Sequence, residues 1–285
     1  MKIAVLSGKG GTGKTLVSVN LASVIANSVY LDCDVEEPNG RLFFKPEHPI
    51  EEDVNVLIPI VDQERCDGCR ACVEFCRFNA LAIIKGKVKV YEEICHSCGG
   101  CTLVCPQGAI REIPKSIGRI ERGVSHGVDV RTGILNVGNE SGVPIIKKLL
   151  ESVDDDQRNV IIDCPPGSSC VVMESIKSAD VCVLVAEPTI FGAHNLAMVY
   201  ELACVFEKPV FAVLNKTLAG ENPSKTFCIE KNIEIAIDIP FDEELGRVNS
   251  NAGIIVEVDE NHRELFMDLY DRIQKGVGHE AATHS

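Results

Sequence analysis

The sequence predicts an α/β fold: a mainly parallel, doubly wound sheet covered by helices, with a small α+β domain inserted into it. Three observations carry that expectation. Short apolar runs alternate with helical stretches through most of the chain, as the strands of a buried parallel sheet do. The first of these runs opens into a glycine-rich phosphate loop, the strand–loop–helix context in which such a loop works. Eight of the fourteen cysteines then interrupt the alternation in two matched runs, which marks a separate unit. A length of 285 residues suits one large domain plus a small one. With 45% apolar residues the chain has ample material for a core. No apolar run approaches the roughly 20 residues of a membrane-spanning helix.

Taken in order, Lys2-Ile3-Ala4-Val5-Leu6 reads as a buried first strand. Gly8, Lys9, Gly10, Gly11, Thr12, Gly13, Lys14 and Thr15 then match G-x-x-x-x-G-K-[ST]. The glycines let the backbone turn tightly, so that its N–H groups point at phosphate oxygens. Lys14 reaches the terminal phosphates and Thr15 offers its hydroxyl to Mg2+. The expected ligands are ATP or ADP with Mg2+. A helix over residues 16–26 follows, and its N-terminal dipole adds to anion binding.

Further strands are expected at residues 160–163, 181–185, 210–215 and 233–239, alternating with helical stretches such as 191–206. Nucleotide belongs at the C-terminal ends of such strands. Residues 118–136 alternate apolar and polar positions around glycines, as a hairpin returning the chain to the sheet would. Residues 261–275 place Leu265, Phe266, Leu269, Tyr270 and Ile273 on one helical face. The opposite face carries Glu264, Asp268 and Asp271 rather than bases, so this helix is expected to pack on its own domain and not on a membrane. Residues 276–285 read as a loose tail.

The first cysteine run is Cys66, Cys69, Cys72 and Cys76; the second is Cys95, Cys98, Cys101 and Cys105, followed by Pro106. Both read C-x2-C-x2-C-x3-C, and every cysteine of the first recurs 29 residues later. Asn79-Ala80-Leu81 is likewise answered by Gly108-Ala109-Ile110. A disulfide framework would need an oxidising compartment, and no signal peptide opens the sequence. Zinc sites rarely use three cysteines at this repeated interval. Three thiolates in a tight loop can wrap three corners of a cubane, and a remote thiolate must close the fourth.

The spacing resembles that of bacterial two-cluster ferredoxins, in which the fourth cysteine of each run ligates the other cluster. The resemblance implies two 4Fe–4S clusters. Cys66, Cys69, Cys72 and Cys105 would hold one; Cys95, Cys98, Cys101 and Cys76 would hold the second. Arg77 stands where proline usually follows the first run, and sets a cation beside a cluster. Pro59 and Pro114 bracket the unit. The expected division is an inserted domain over residues 58–113 within a discontinuous nucleotide-binding domain of residues 1–57 and 114–285.

Lys9 adds a second lysine to the phosphate loop. K-G-G-x-G-K-T resembles the deviant Walker A loop of the MinD/ParA family of dimeric ATPases, in which the extra lysine reaches across a dimer interface to the partner's nucleotide. Other segments agree. Leu31-Asp32-Cys33-Asp34 ends a strand, and Pro38-Asn39 follow as in the family's first switch. Val160-Ile161-Ile162-Asp163 precedes Cys164-Pro165-Pro166-Gly167, which looks like Walker B and the second switch. Val213-Leu214-Asn215-Lys216 resembles the family's adenine-contacting asparagine, and Ile239-Pro240-Phe241-Asp242 its base-side loop.

The resemblance covers the chain outside the cysteine insert. More narrowly, it is to superfamily members that carry an inserted ferredoxin domain. It implies that Asp34 orients the attacking water, that Asp163 assists Mg2+, and that Asp32 is a neighbouring switch residue. Lys9 and Lys14 would meet the phosphates, and Asn215 and Pro240 the base. The implied assembly is a nucleotide-dependent homodimer, or a heterodimer with a paralogue.

The net charge is −14. Between Ile58 and Ile113 seven acidic residues balance seven basic ones, so the deficit falls on the ATPase part. Nucleic-acid binding calls for a basic face, and a DNA-partitioning role is disfavoured. The expected compartment is cytoplasmic. Of the six cysteines outside the insert, Cys33, Cys164, Cys182, Cys204 and Cys228 read as buried small hydrophobes. Cys170 lies where the related nitrogenase iron protein has a ligand for an intersubunit cluster, but the second ligand has no counterpart between residues 113 and 157.

Coexistence of ATP and cluster motifs favours an ATP-gated electron-transfer protein serving a redox partner that the sequence does not name. The alternative is an iron–sulfur carrier or assembly ATPase of the Mrp type. Such proteins hold a labile bridging cluster on one C-x2-C pair, whereas eight ligands closing two sites suit retention.

Overall fold

The computed structural model describes residues 1–283. In chain order its elements are β1 (Lys2–Leu6), α1 (Lys14–Val24), β2 (Val29–Asp32), α2 (Gly40–Phe44) and β3 (Ile50–Val61). The cysteine-bearing stretch follows with α3 (Ala71–Phe75), β4 (Leu81–Ile84), β5 (Lys87–Val90) and α4 (Gly100–Leu103). Then come β6 (Ile110–Ser125), β7 (Val128–Leu135), α5 (Val143–Glu151), β8 (Val160–Asp163), α6 (Cys170–Ile176) and β9 (Val181–Ala186). The chain ends with α7 (Ile190–Val205), β10 (Val210–Thr217), α8 (Pro223–Glu230), β11 (Glu234–Pro240), α9 (Glu243–Ser250) and α10 (Glu260–Thr283).

Nine strands form one sheet in the order β11-β10-β9-β1-β8-β2-β7-β6-β3. The seven from β11 to β7 run parallel, and β6 and β3 close the edge antiparallel. Side chains along a strand alternate between faces, so β1 sends Ala4 and Leu6 to one apolar layer and Ile3 and Val5 to the other. The first layer is covered by α5, α6, α7 and α8; the second by α1, α2, α9 and α10. This is the mainly parallel, doubly wound architecture that the alternation of runs predicts.

Register fixes where the cysteine stretch lies. Leu135, at the C-terminal end of β7, pairs with Gly118 of β6. The preceding residues of β6, from Ile110, pair only with β3 and run on past that level. The ribbon therefore carries residues 62–109 above the C-terminal edge of the parallel sheet, the edge at which β1 opens into the phosphate loop. Ile58 and Ile113 are register partners on this ribbon. At its tip β4 and β5 form a separate two-stranded sheet. The sequence repeat is also a backbone repeat: left-handed residues recur at Gly68 and Ser97, Arg70 and Gly99, and Asn79 and Gly108.

One expectation is corrected. Residues 276–283 continue α10 instead of forming a loose tail, and residues 284–285 lie outside the described residues. Gly276 is a packing residue here, not a stop: a Cβ on it would sit 2.4 Å from the Phe211 ring, and Val277 packs against the second apolar layer. Phe266, Leu269 and Ile273 are fully buried there, as the helical face predicted.

Candidate functional site

The phosphate loop spans the turn from β1 to α1. Thr12 Oγ1 donates to the Lys9 carbonyl at 3.1 Å and Ser7 Oγ to the same carbonyl at 2.9 Å, which holds the loop shut on itself. Gly13 has φ 100°, a value glycine adopts without a Cβ penalty. Asn215, at the end of β10, packs against it: a Cβ on Gly13 would lie 2.1 Å from Asn215 Nδ2. That amide donates to the Thr12 carbonyl at 2.8 Å, and Asn215 is 2% exposed. The residue expected at the base thus also buttresses the loop.

Four buried polar side chains meet behind the loop. Lys14 Nζ lies 2.5 Å from Asp163 Oδ1 and 3.9 Å from Asp34 Oδ2. Tyr30 Oη donates to the other Asp163 oxygen at 2.7 Å. Asp32, paired in register with Asp163, accepts from the Gly40 amide at 2.8 Å and the Asp34 amide at 3.3 Å. Burial raises the Asp32 carboxyl well above the usual carboxylate range, and the nearby Asp163 charge adds to this. Burial works to lower the Lys14 ammonium, but Asp163, Asp34 and Asp32 outweigh it and the net direction is up. Asp34 is pushed up to about 6, by burial first, with Lys14 opposing.

Lys9 is held within its own chain. Its ammonium lies 2.7 Å from Glu187 Oε2. Lys216 takes the other carboxylate oxygen at 2.8 Å and also donates to the Gly11 carbonyl at 2.8 Å. Burial works to raise Glu187, but the two lysines overcome it and hold its carboxyl low. A cavity of about 470 Å3 opens in front of these groups, within the range of small-molecule sites. Its walls include Gly10, Gly11, Gly13, Lys14, Thr15, Asp34, Asn39, Pro166, Asn215 and Pro240.

The eight run cysteines line two other cavities. Cys76, Cys95, Cys98 and Cys101 face one of about 350 Å3. Cys66, Cys69, Cys72 and Cys105 face a narrow one of about 10 Å3. Each cavity takes three thiols from one run and the fourth from the other. Each set offers four thiols, the donor chemistry that a 4Fe–4S cluster takes, and Cys69 and Cys98 are the exposed members of the two sets. Among the described residues no three His, Cys, Asp or Glu side chains converge as ligands of a single metal ion would. The exchanged thiols are matched: the Ala80 amide donates to Cys76 Sγ and the Ala109 amide to Cys105 Sγ, both at 3.3 Å. Burial raises the Cys72 and Cys101 thiols.

Cys33, Cys164, Cys182 and Cys228 are buried as expected, while Cys170 and Cys204 are exposed. For Cys204 that is a correction: it lies in the last turn of α7, on the helix's outer side. Among the described residues no cysteine is in a disulfide.

The CobQ/CobB/MinD/ParA nucleotide-binding domain family matches residues 3–255, the span holding the loop, both aspartate-ended strands and the cavity. The chain belongs to this family. As a MinD/ParA-type ATPase it is 30% identical to the uncharacterized protein MJ0578 of Methanocaldococcus jannaschii, over 97% of this chain and 98% of that one. Cell division ATPase MinD from Pyrococcus furiosus shares the fold, with a TM-score of 0.60 and 17% identity over 96% of this chain and 98% of that one.

Shorter matches are of a different kind. An uncharacterized ferredoxin of M. jannaschii, MJ0722, is 42% identical over 55 residues, 18% of this chain and 71% of that protein. An iron–sulfur cluster carrier protein of P. furiosus is 55% identical over 47 residues, 15% of this chain and 16% of that protein. This family member also carries two site residues that the sequence did not mark, Tyr30 and Glu187. Tyr30 reads as one more apolar strand position. Glu187 follows a buried strand, and charge alone does not distinguish it from other surface acids.

Proposed function

We propose that the protein is an ATP-gated electron-transfer protein: a MinD/ParA-type ATPase of residues 1–57 and 114–285 carrying a two-cluster ferredoxin domain at 58–113. In this proposal ATP and Mg2+ occupy the 470 Å3 cavity. Gly8 to Thr15 cradle the phosphates, Thr15 and Asp163 serve Mg2+, Asp34 orients water, and Asn215 and Pro240 flank the base. The Mg2+ would supply charge neutralisation at the phosphates. Two 4Fe–4S clusters would take the exchanged cysteine sets, which supply the thiolate ligands such clusters need. Lys9 would complete the site of a second copy, or of a paralogue, in a nucleotide-dependent dimer. The proposed compartment is cytoplasmic, with a redox protein and not nucleic acid as partner. Among the described residues no helix is long and apolar enough to cross a membrane.

The observation that carries this proposal is the path from Asp34 to the cysteine stretch. Val35, next to Asp34, accepts a hydrogen bond from the Leu135 amide at 2.8 Å. Leu135 pairs with Gly118, from which the ribbon runs to the cysteines. Through this bond a shift of the 34–39 segment on nucleotide binding would reach the strand pair that leads to the cysteine runs. The iron–sulfur carrier reading is favoured by one observation, the short match to the P. furiosus carrier protein.

The test is anaerobic reconstitution followed by redox titration with electron paramagnetic resonance, with and without a non-hydrolysable ATP analogue. A nucleotide-dependent shift in potential or in cluster–cluster coupling is the expected result. Signals indifferent to nucleotide, with cluster delivery to apo-acceptors, would sink the electron-transfer proposal in favour of the carrier.

A further inference from the structure

Tyr30 sits in the middle of β2 with no solvent exposure. Its strand neighbours in register are Ile161 and Val130, and its ring lies 5.0 Å from that of Phe44. A leucine or valine would fill such a position. The hydroxyl instead ends against Asp163 Oδ2, while Lys14 takes Oδ1. Carboxylate torsions are otherwise soft, and a hydrogen bond to an ionised acceptor in a dry site is among the stronger ones. The two donors together fix the plane of the Asp163 carboxylate.

The same ring touches a second part of the site. A Cβ on Gly40 would lie 2.3 Å from Tyr30 Oη and 2.4 Å from its ring, so the backbone at the start of α2 rests directly on the phenol. Gly40 is also tied by its amide to Asp32 Oδ2. Movement of the 34–44 segment therefore changes the surface against which the Tyr30 hydroxyl is held.

We propose that Tyr30 is a positioning residue for the metal–nucleotide site: its hydroxyl orients Asp163, and its contact with Gly40 makes that orientation follow the position of α2. This rests on the assignment of Asp163 to the Mg2+ side of the site. Tyr30 touches neither nucleotide nor metal in this scheme; it acts through Asp163.

The experiment measures binding of an N-methylanthraniloyl-labelled ADP to the full chain at stepped Mg2+ concentrations and in EDTA. The chain has no tryptophan, so the dye is read by its own emission. The variants are Tyr30→Phe, Gly40→Ala, their combination, and Asp163→Asn. Loss of a group that orients a metal-side ligand costs on the order of 10-fold in metal affinity. Tyr30→Phe is therefore expected to raise the Mg2+ midpoint about 10-fold with affinity in EDTA unchanged, a split that a merely structural defect would not produce. Gly40→Ala should shift the midpoint in the same direction, and the combination should go no further than the larger single change.

If Asp163→Asn moves the midpoint and Tyr30→Phe does not, the role of Tyr30 is overturned while the Mg2+ assignment stands. If Asp163→Asn leaves the midpoint in place, the assignment fails and the proposal with it. Should Tyr30→Phe not fold, Gly40→Ala decides: an unchanged midpoint overturns the proposal.

Discussion

Glu187 holds the Lys9 ammonium at 2.7 Å, in cis, on the rim of the cavity. In the proposed dimer Lys9 reaches across the interface, and to do so it would first have to leave Glu187. Lys216 shares the same carboxylate and ties it to the loop through the Gly11 carbonyl. Lys9 is 41% exposed at its side chain, and pairs of this kind contribute about 0.2–1 kcal/mol. Glu187→Gln is accordingly expected to lower the protein concentration at which an ATP analogue induces the dimer, by roughly 2- to 5-fold. Sedimentation velocity over a dilution series reads this. A dimer that needs more protein in the variant would show that Glu187 assists assembly.

Asp34 is a group under electrostatic strain. Burial pushes its carboxyl up to about 6 in spite of Lys14, against about 4 in an unfolded chain. A folded-state value above the unfolded one means that the fold binds the proton more tightly. Ionisation then costs stability as pH rises from about 4 through 6. Asp34→Asn removes that cost. With allowance for partial exposure, the variant should be more stable than the parent at pH 7.5 by on the order of 1 kcal/mol, roughly 2 °C in melting temperature. The difference should vanish below about pH 4. Hydrolysis should fall about 100-fold or more if Asp34 handles the attacking water. Melting curves at the two pH values decide; a variant less stable at pH 7.5 would refute the strain.

If the two proposed clusters exchange their fourth ligands, the cysteine variants behave differently from those of two self-contained sites. Cys76 belongs by sequence to the first run but lines the cavity of the second. Cys76→Ser should therefore abolish the signal of the cluster held by Cys95, Cys98 and Cys101 and halve the iron content. Cys105→Ser should remove the other signal. Electron paramagnetic resonance of the two variants, reconstituted side by side, reads the assignment. Loss of the first-run cluster on changing Cys76 would place the ligands run by run.

How far the sequence could be read depends on the range of the interaction. The strands were legible because burial on both faces leaves continuous apolar runs. The two cysteine runs were legible as a 29-residue repeat, matched in the backbone at Asn79 and Gly108, while the exchange of fourth cysteines came from the resemblance to two-cluster ferredoxins. Lys14 and Asp163 were legible through local motifs. Tyr30 was not, because the fact that defines it is a hydrogen bond to a residue 133 positions away. Glu187 was hidden for the same reason, its partner Lys9 coming from another strand's loop. The tail expected over residues 276–285 rested on its terminal position, and the packing of Gly276 on Phe211 that lets α10 run on is not visible in the local sequence.

Asp129 gives the last prediction, on stability and away from the nucleotide edge. It lies at the N-terminal start of β7, and its carboxylate accepts from Arg131 at 2.8 Å, Arg158 at 2.9 Å and Arg122 at 3.0 Å. Burial works to raise its pKa, but the three guanidinium groups overcome this and hold the carboxyl well below the usual range. A depressed folded-state value means that the stabilisation is present above about pH 4 and is lost as pH falls toward the folded value. Asp129→Asn leaves three cations around a neutral amide, with Asp156 still against Arg158 at 2.6 Å and Arg131 at 3.7 Å; Arg131 is 2% exposed. Breaking such a group by removing one partner costs about 3 kcal/mol at pH 7, or roughly 6 °C in melting temperature. The gap between variant and parent should narrow steadily below about pH 4. Since β7 presents its other end to the switch segment, ATP hydrolysis per folded molecule should be unchanged at 25 °C. A pH-independent gap would mean that Asp129 acts through packing and not through its charge.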